Sequence, residues 1–331
     1  MYSMQMLNIK GSFTYWLFFA AFLTGCSVLG RGEAQKKGKT IYEKFSPPGT
    51  VYLRDSFYVD ETEVANIHYL EYLYHINKDS SAEFYLSQLP DSTTWKVSLQ
   101  PNDDFMRHYF RYPGYRYFPV IGVSFEQAVN YCKWRSDMVN KLLQDKTSKI
   151  GRALKGYDAV VEYRLPTKEE WEYAAAGGLD INNHPYGIVR PAHGKANTLK
   201  IGRGSLSECL DTLGITYGKD DILHKMEFTV LENYYLSIDK PGFRCPSLET
   251  LRQTANYIGP EYYYSNPPNN FLLFNMIGNV AEITATEGVA KGGSFKQSLS
   301  EISIPKNFHY NEPEEWLGFR CVAVMRLKKK K

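Results

Sequence analysis

Charge of one sign is scarce in this sequence. Its 39 Lys and Arg stand against 36 Asp and Glu, a formal net charge of +3 over 331 residues. With no basic patch interleaved with aromatics, that balance offers no footprint for a nucleic acid. Long apolar runs are also missing: Phe13 to Thr24, near the start, is about a dozen residues, too short to cross a bilayer. Cysteine is sparse, five in all, and no C-x-x-C occurs, which excludes a zinc ribbon and a thioredoxin-like redox site. The acidic pairs Asp103–Asp104 and Asp220–Asp221 read as solvated loop residues. Aromatic side chains, by contrast, are plentiful at 15%, led by 26 tyrosines. They predict a loop-rich fold pinned by large flat rings, or an exposed adhesive face. The length is generous for one domain and short for two.

The first thirty residues carry a different signal. Lys10 supplies a positive start, Phe13 to Thr24 an apolar stretch, and "LTGC", Leu23 to Cys26, resembles the bacterial lipobox. The expectation is a signal peptide over residues 1–25, with Cys26 lipidated as the new terminus. Each buried CH₂ of an acyl chain contributes ~0.8 kcal/mol, so several chains anchor a protein stably. Residues 26–45, rich in Gly and Lys and without periodicity, read as a tether. Outside the cytoplasm the remaining Cys132, Cys209, Cys245 and Cys321 favour structural disulfides, with three pairings open. The closing Lys328 to Lys331 run, residues 328–331, reads as a solvated basic tail, with contact to acidic lipid or a partner as the sharper alternative.

Three segments carry helix grammar. In "DSFYVDETEVANIHYLEYLYHI" a strand over Ser56 to Val59 precedes a helix capped by Asn66, with Ile67, Leu70 and Tyr74 along one face. In "YFPVIGVSFEQAVNYCKWRSDMVNKLL" a strand ends at Val123, Ser124 and Gln127 form a capping box, and Ala128, Cys132 and Met138 share a stripe. In "RLPTKEEWEYAAAGG" Thr167 and Glu170 form another box, Trp171 and Ala175 share a face, and Gly177–Gly178 end the helix. Beyond it Gly, Pro, Asn and Tyr punctuate short strands, so the class is α+β.

Four blocks stand in order: "PVIGVSFEQAVNYCKWRS", "RLPTKEEWEYAAAGG", "NNFLLFNMIGNVAEIT" with "KGGSF", and "LGFRCVAV". Together they resemble the formylglycine-generating-enzyme, or sulfatase-modifying-factor, domain. The resemblance implies a single loop-rich domain, a variant of the C-type-lectin type, over residues 46–327, with 199–265 as a divergent insertion. "LPDSTTW", "HYFRYPGYRYFPVIGVSF" and 28 inserted residues between Arg135 and Arg164 resemble, more narrowly, the gliding-motility and type IX secretion lipoproteins of Bacteroidota.

The resemblance also says what is missing. Active members carry two copper-binding cysteines three and eight residues beyond the Ser of "GGS". Here those positions, counted from Ser294, hold Gln297 and Ile302, and neither supplies the soft thiolate that Cu(I) requires. The iron-dependent relatives need His-x3-His-x-Glu, a spacing that none of the seven histidines makes. Ser294 has no G-x-S-x-G elbow around it. The resemblance implies structural calcium at Gly278, Asn279, Val280 and Glu282, with a second site beginning at Ala196, Asn197 and Thr198. It implies a Cys132–Cys321 disulfide, which leaves Cys209 and Cys245 as a second pair. The expected function is a non-catalytic lipoprotein scaffold on the periplasmic face of the outer membrane, held by its acyl chains and docking secretion or motility proteins. The competing expectation is an enzyme or a receptor for peptide or sugar, lined by Tyr262 to Tyr264 or Tyr109 to Tyr117.

Overall fold

The computed structural model describes residues 39–97, 108–187, 259–265, 268–297 and 301–331. The chain divides into a leading segment, Met1–Lys39, and a mixed α/β unit, Thr40–Lys331. Among the described residues the helices are α1 (Ile41–Lys44), α2 (Asn66–Asp79), α3 (Ala82–Ser87), α4 (Phe125–Gln144), α5 (Lys149–Ala153) and α6 (Lys168–Ala176). The strands are β1 (Thr50–Arg54), β2 (Phe57–Asp60), β3 (Tyr157–Arg164), β4 (Ala281–Ile283), β5 (Val289–Lys291), β6 (Phe308–His309), β7 (Leu317–Gly318) and β8 (Val322–Lys329). No helix among the described residues is long and apolar enough to cross a membrane.

All four residues of β2 are buried, although successive side chains of a strand face opposite ways. The main sheet explains this. Its order is β1-β2-β8-β3, antiparallel throughout, and both faces are covered. Tyr58, Ala323 and Met325 face a core shared with Tyr69 and Tyr72 of α2 and with Tyr131 and Cys132 of α4. Phe57, Val59 and Val322 face a second core built on Trp171 and Ala175 of α6 with Leu273 and Met276. A smaller sheet, ordered β6-β5-β4-β7, carries β4 parallel to β7 and antiparallel to β5.

Helix α6 follows its sequence signals. Thr167 Oγ1 accepts from the Glu170 amide, the Glu170 carboxylate accepts from the Thr167 amide, and Gly177 closes the helix at φ 58°. Arg164 adds a bidentate pair to Glu170 at 2.6 and 2.7 Å. The second box, Ser124 with Gln127, starts α4 as expected. In α4 the buried stripe is Ala128, Tyr131, Cys132 and Val139, with Met138 only half-buried.

Four expectations need correction. Helix α2 is capped by Ala65 backbone, not by Asn66, whose buried amide donates to Tyr109 O and Tyr115 O. Its inner face is Tyr69, Tyr72, Leu73 and Ile76, and Tyr74 lies exposed; tyrosines on several faces had blurred the period. Residues before Val123 form no strand, only an isolated bridge between Ala65 and Pro119, because the Gly122 turn at φ 70° sends the chain away from a ladder. The ends of the folded unit also move outward. Helix α1 lies inside the span read as a tether, yet Tyr42 O and Phe45 O accept from the buried Tyr58 hydroxyl. Lys328 and Lys329, read as tail, belong to β8 opposite Asp158 and Tyr157.

Candidate functional site

Strand β5 delivers Lys291, Gly292, Gly293 and Ser294 to the place where the resemblance expects a reactive loop. Both glycines have positive φ, 91° and 71°, and a side chain on Gly293 would meet Ile302 Cγ2 at 2.1 Å. Ile302 is therefore packed against the turn itself, 2% exposed. Gln297 fills the other thiol position with a lock: its Oε1 accepts from Ser294 N and from Ser294 Oγ, each at 2.8 Å. Ser294 Oγ in turn accepts from Lys296 N at 3.2 Å. Ser294 is 2% exposed and its hydroxyl donates to a neutral amide, not to a base that would make it a nucleophile.

Around this loop the ionisable groups brace one another. Lys291 is fully buried, yet its ammonium donates to Glu172 at 2.7 Å and to Asn307 at 3.2 Å and lies 5.8 Å from the Trp171 ring. Burial lowers its pKa, and Glu172 opposes that shift. Lys296 pairs with the buried carboxylate of Glu315. The groups form ion pairs rather than a poised acid and base.

The one carboxylate among the expected calcium ligands is already engaged. Both Glu282 oxygens face the Arg320 guanidinium, with Nε at 2.8 and 2.7 Å and Nη2 at 2.5 Å, and Trp171 Nε1 donates to the same carboxylate at 2.6 Å. Arg320 also donates to Asp60 O and Phe274 O. Burial would lower the Arg320 pKa, but the Glu282 charge outweighs it and raises it. Asn279, at φ 56°, donates its Nδ2 to Glu63 and accepts the Glu261 N–H on its Oδ1, while Val280 sits in an apolar cluster with Trp95 and Ile121. Gly278 donates its N–H to Gly292 O. A carboxylate already neutralised by a guanidinium is a poor ligand for a hard cation, so Glu282 in this pairing does not fit a calcium ligand. Among the described residues, no three His, Cys, Asp or Glu are grouped to hold a metal. Asn197 and Thr198, like Cys26, Cys209 and Cys245, lie outside the described residues.

The structure does bring Cys132 and Cys321 together. Their sulfurs are 3.2 Å apart and buried, as two thiols in contact; a disulfide bond is about 2.05 Å. Burial pushes the Cys321 thiol well above its ordinary range.

The two tyrosine stretches named from the sequence prove to be neighbours. Tyr117 stacks on Tyr263 with centroids 5.6 Å apart and planes 10° apart, Tyr262 lies edge-on at 6.1 Å, and Tyr263 N donates to Tyr117 O. Tyr117 and Tyr262 are each more than two-fifths exposed. Tyr264 donates to Glu61 at 3.3 Å, and burial raises the Glu61 pKa. Tyr109 is not part of this face, being buried with its hydroxyl on Pro119 O. Sequence reasoning missed Glu63, Arg320, and the pair of Asp60 with Arg135, whose Nη1 donates to the Asp60 carboxylate at 2.7 Å. The signal for the two acids was the run Asp60 to Glu63, set among apolar residues; the two arginines had none.

Residues 22–212 match the model of the sulfatase-modifying factor enzyme 1-like domain. That is more than half of the chain, and the chain belongs to this family. The glycine turn, Gln297 and Ile302 lie beyond the matched span. Two curated relatives are described as "Inactive C-alpha-formylglycine-generating enzyme 2". The one from Bos taurus is 36% identical over 70 residues, 21% of this chain and 15% of that protein. The one from Mus musculus is 38% identical over 69 residues, 21% of this chain and 14% of its own length. Among solved structures, Treponema denticola variable protein 1 is 15% identical with a TM-score of 0.39, covering 84% of this chain and 92% of that one. PvdO from Pseudomonas aeruginosa is 16% identical with a TM-score of 0.34, covering 63% of each. The likeness to both structures is weak.

Proposed function

We propose that this protein is a non-catalytic member of its family, a lipid-anchored scaffold of the outer membrane that docks secretion or motility proteins of the type IX kind. One observation carries the reading: the two positions that would hold a redox metal are spent on architecture. Gln297 ties down Ser294, and Ile302 fills the space beside Gly293. The description of the two mammalian relatives as inactive agrees with this, over a short stretch of chain. The lipobox-like "LTGC" supports lipidation at Cys26, and the absence of an acidic run after it favours the periplasmic face. The domain is proposed to be a loop-rich variant of the C-type-lectin type. Its stiffness would come from buried ion pairs, and from a Cys132–Cys321 bond once the facing thiols are oxidised.

The test is capture through the native lipoprotein after crosslinking in cells, with mass spectrometry of what is bound. Stoichiometric outer-membrane partners are expected. Recovery of the protein alone, in the soluble fraction, would contradict both anchor and scaffold. Cys26→Ala is expected to release the protein from the membrane without unfolding it.

A second reading has its own observation. The exposed Tyr117, Tyr262 and Tyr263 cluster beside Glu61 is the kind of face on which a peptide or sugar ring stacks. Quenching of tyrosine fluorescence by a peptide or oligosaccharide, lost in Tyr262→Ala, would favour this receptor role over the scaffold.

A further inference from the structure

The pairing of β3 with β8 gathers charge that the sequence keeps far apart. Tyr157 and Asp158 lie opposite Lys329 and Lys328, and Lys330 N donates to Gly156 O at 3.0 Å. This lays the C-terminal lysines, residues 328–331, alongside the turn that follows α5. Helix α5 is itself tied back to the end of α4, where Ser148 Oγ donates to Leu142 O and caps Gly151 N. The strand pairing and the α4–α5 connection thus place Lys146, Lys149, Arg152 and Lys155 near Lys328 through Lys331, all exposed.

Residues 145–158 and 326–331 hold nine side-chain cations and two carboxylates, Asp145 and Asp158. Two of the cations are partly answered, Arg326 by Glu162 at 3.2 Å and Lys330 by Asp158 at 3.5 Å. With the whole chain at only +3, a local +7 in these two segments leaves a net −4 summed over the rest of the sequence, so the positive charge is concentrated here. Seven of the nine cations are lysines, point charges on flexible stems rather than the planar forks that grip a fixed phosphate. Tyr157, half-buried, is the one aromatic in the two segments, so there is no stacking platform for bases.

We infer that this face lies against the headgroups of an anionic phospholipid bilayer and orients the domain on it. A cluster of four to eight lysines and arginines is what binds such a surface, through diffuse and salt-sensitive attraction. The inference does not depend on lipidation of Cys26: any acyl or apolar anchor adds equally to neutral and charged bilayers, whereas the patch distinguishes them. Four of its nine cations come from the residues inserted between Arg135 and Arg164, which gives that insertion a role.

The test is co-sedimentation of the full chain with vesicles of phosphatidylcholine alone and with vesicles containing about a third phosphatidylglycerol. Binding to the anionic vesicles is expected to be at least about tenfold tighter, falling steeply as salt rises. Combining Lys149→Gln, Lys155→Gln, Lys328→Gln and Lys329→Gln should reduce the preference to about twofold or less, and the four matching Lys→Arg changes should keep it. Lys44→Gln, Lys78→Gln, Lys133→Gln and Lys306→Gln together remove the same charge elsewhere and should leave the preference intact. No preference in the unaltered chain, as expected if the patch serves an acidic protein or a nucleic acid, would overturn the inference. Equal loss in the control variant would overturn it too.

Discussion

Glu282 and Arg320 show what a single pair of residues decides here. Both are buried, and each satisfies the other with help from Trp171 and two backbone carbonyls. Removing one partner strands the other charge, so Glu282→Gln or Arg320→Met should cost about 3–5 kcal/mol in urea unfolding. Added calcium should not restore that loss, because the ion pair already occupies the carboxylate. Glu63 makes a second residue-scale prediction. Burial lifts its pKa to about 7, the neighbouring Glu282 adds to the rise, and Arg320 opposes it. An acid whose pKa is higher folded than unfolded holds its proton more tightly when folded. Its contribution is full below the ordinary value of 4.5 and is lost as pH climbs to about 7. Stability should therefore fall by about 3 kcal/mol across that window, and Glu63→Gln should flatten the slope. None of this was legible in the sequence: Glu63 meets Asn279 across 216 residues, a contact that no local pattern announces. The substitutions at Gln297 and Ile302 were legible, because they stand at a fixed distance from "GGS".

At the scale of elements, the two capping boxes were readable because every group they use lies within one turn. The edge of β3 was not. Asn140 of α4 donates its Nδ2 to Val161 O at 2.8 Å and accepts Val161 N on its Oδ1 at 2.9 Å, as a neighbouring strand would. Ser136 accepts the Tyr163 N–H at 2.8 Å, while its one proton lies between Cys132 O at 2.9 Å and Tyr163 O at 3.3 Å. A helix thus blunts a strand edge that would otherwise be open to pairing with another chain. Asn140→Ala should cost about 2 kcal/mol and promote self-association, visible by light scattering at concentrations where the parent protein stays monodisperse. The faces of α2 were misjudged for a related reason. Tyrosines at 69, 72 and 74 offer more than one apolar stripe, and only packing against α4 and Phe319 selects Tyr69 and Tyr72.

At the scale of the folded unit, the last strand β8 runs between β2 and the inserted β3, so early and late parts of that unit brace each other. Cys132 and Cys321 face each other across 189 residues at that junction. Once oxidised, the pair should add about 4–5 kcal/mol by the chain-entropy argument, so Cys132→Ser should lower stability in oxidised protein far more than in reduced protein. This bracing leaves the glycine turn fixed and without thiolates, which is the account's central claim. It is tested most directly by incubating the purified protein with Cu(I), oxygen and a cysteine-bearing sulfatase-type peptide, then following the cysteine by mass spectrometry. The account predicts peptide recovered with its cysteine unconverted at every time point. Time-dependent formation of the aldehyde, abolished by replacing Gln297 or Ile302, would contradict it.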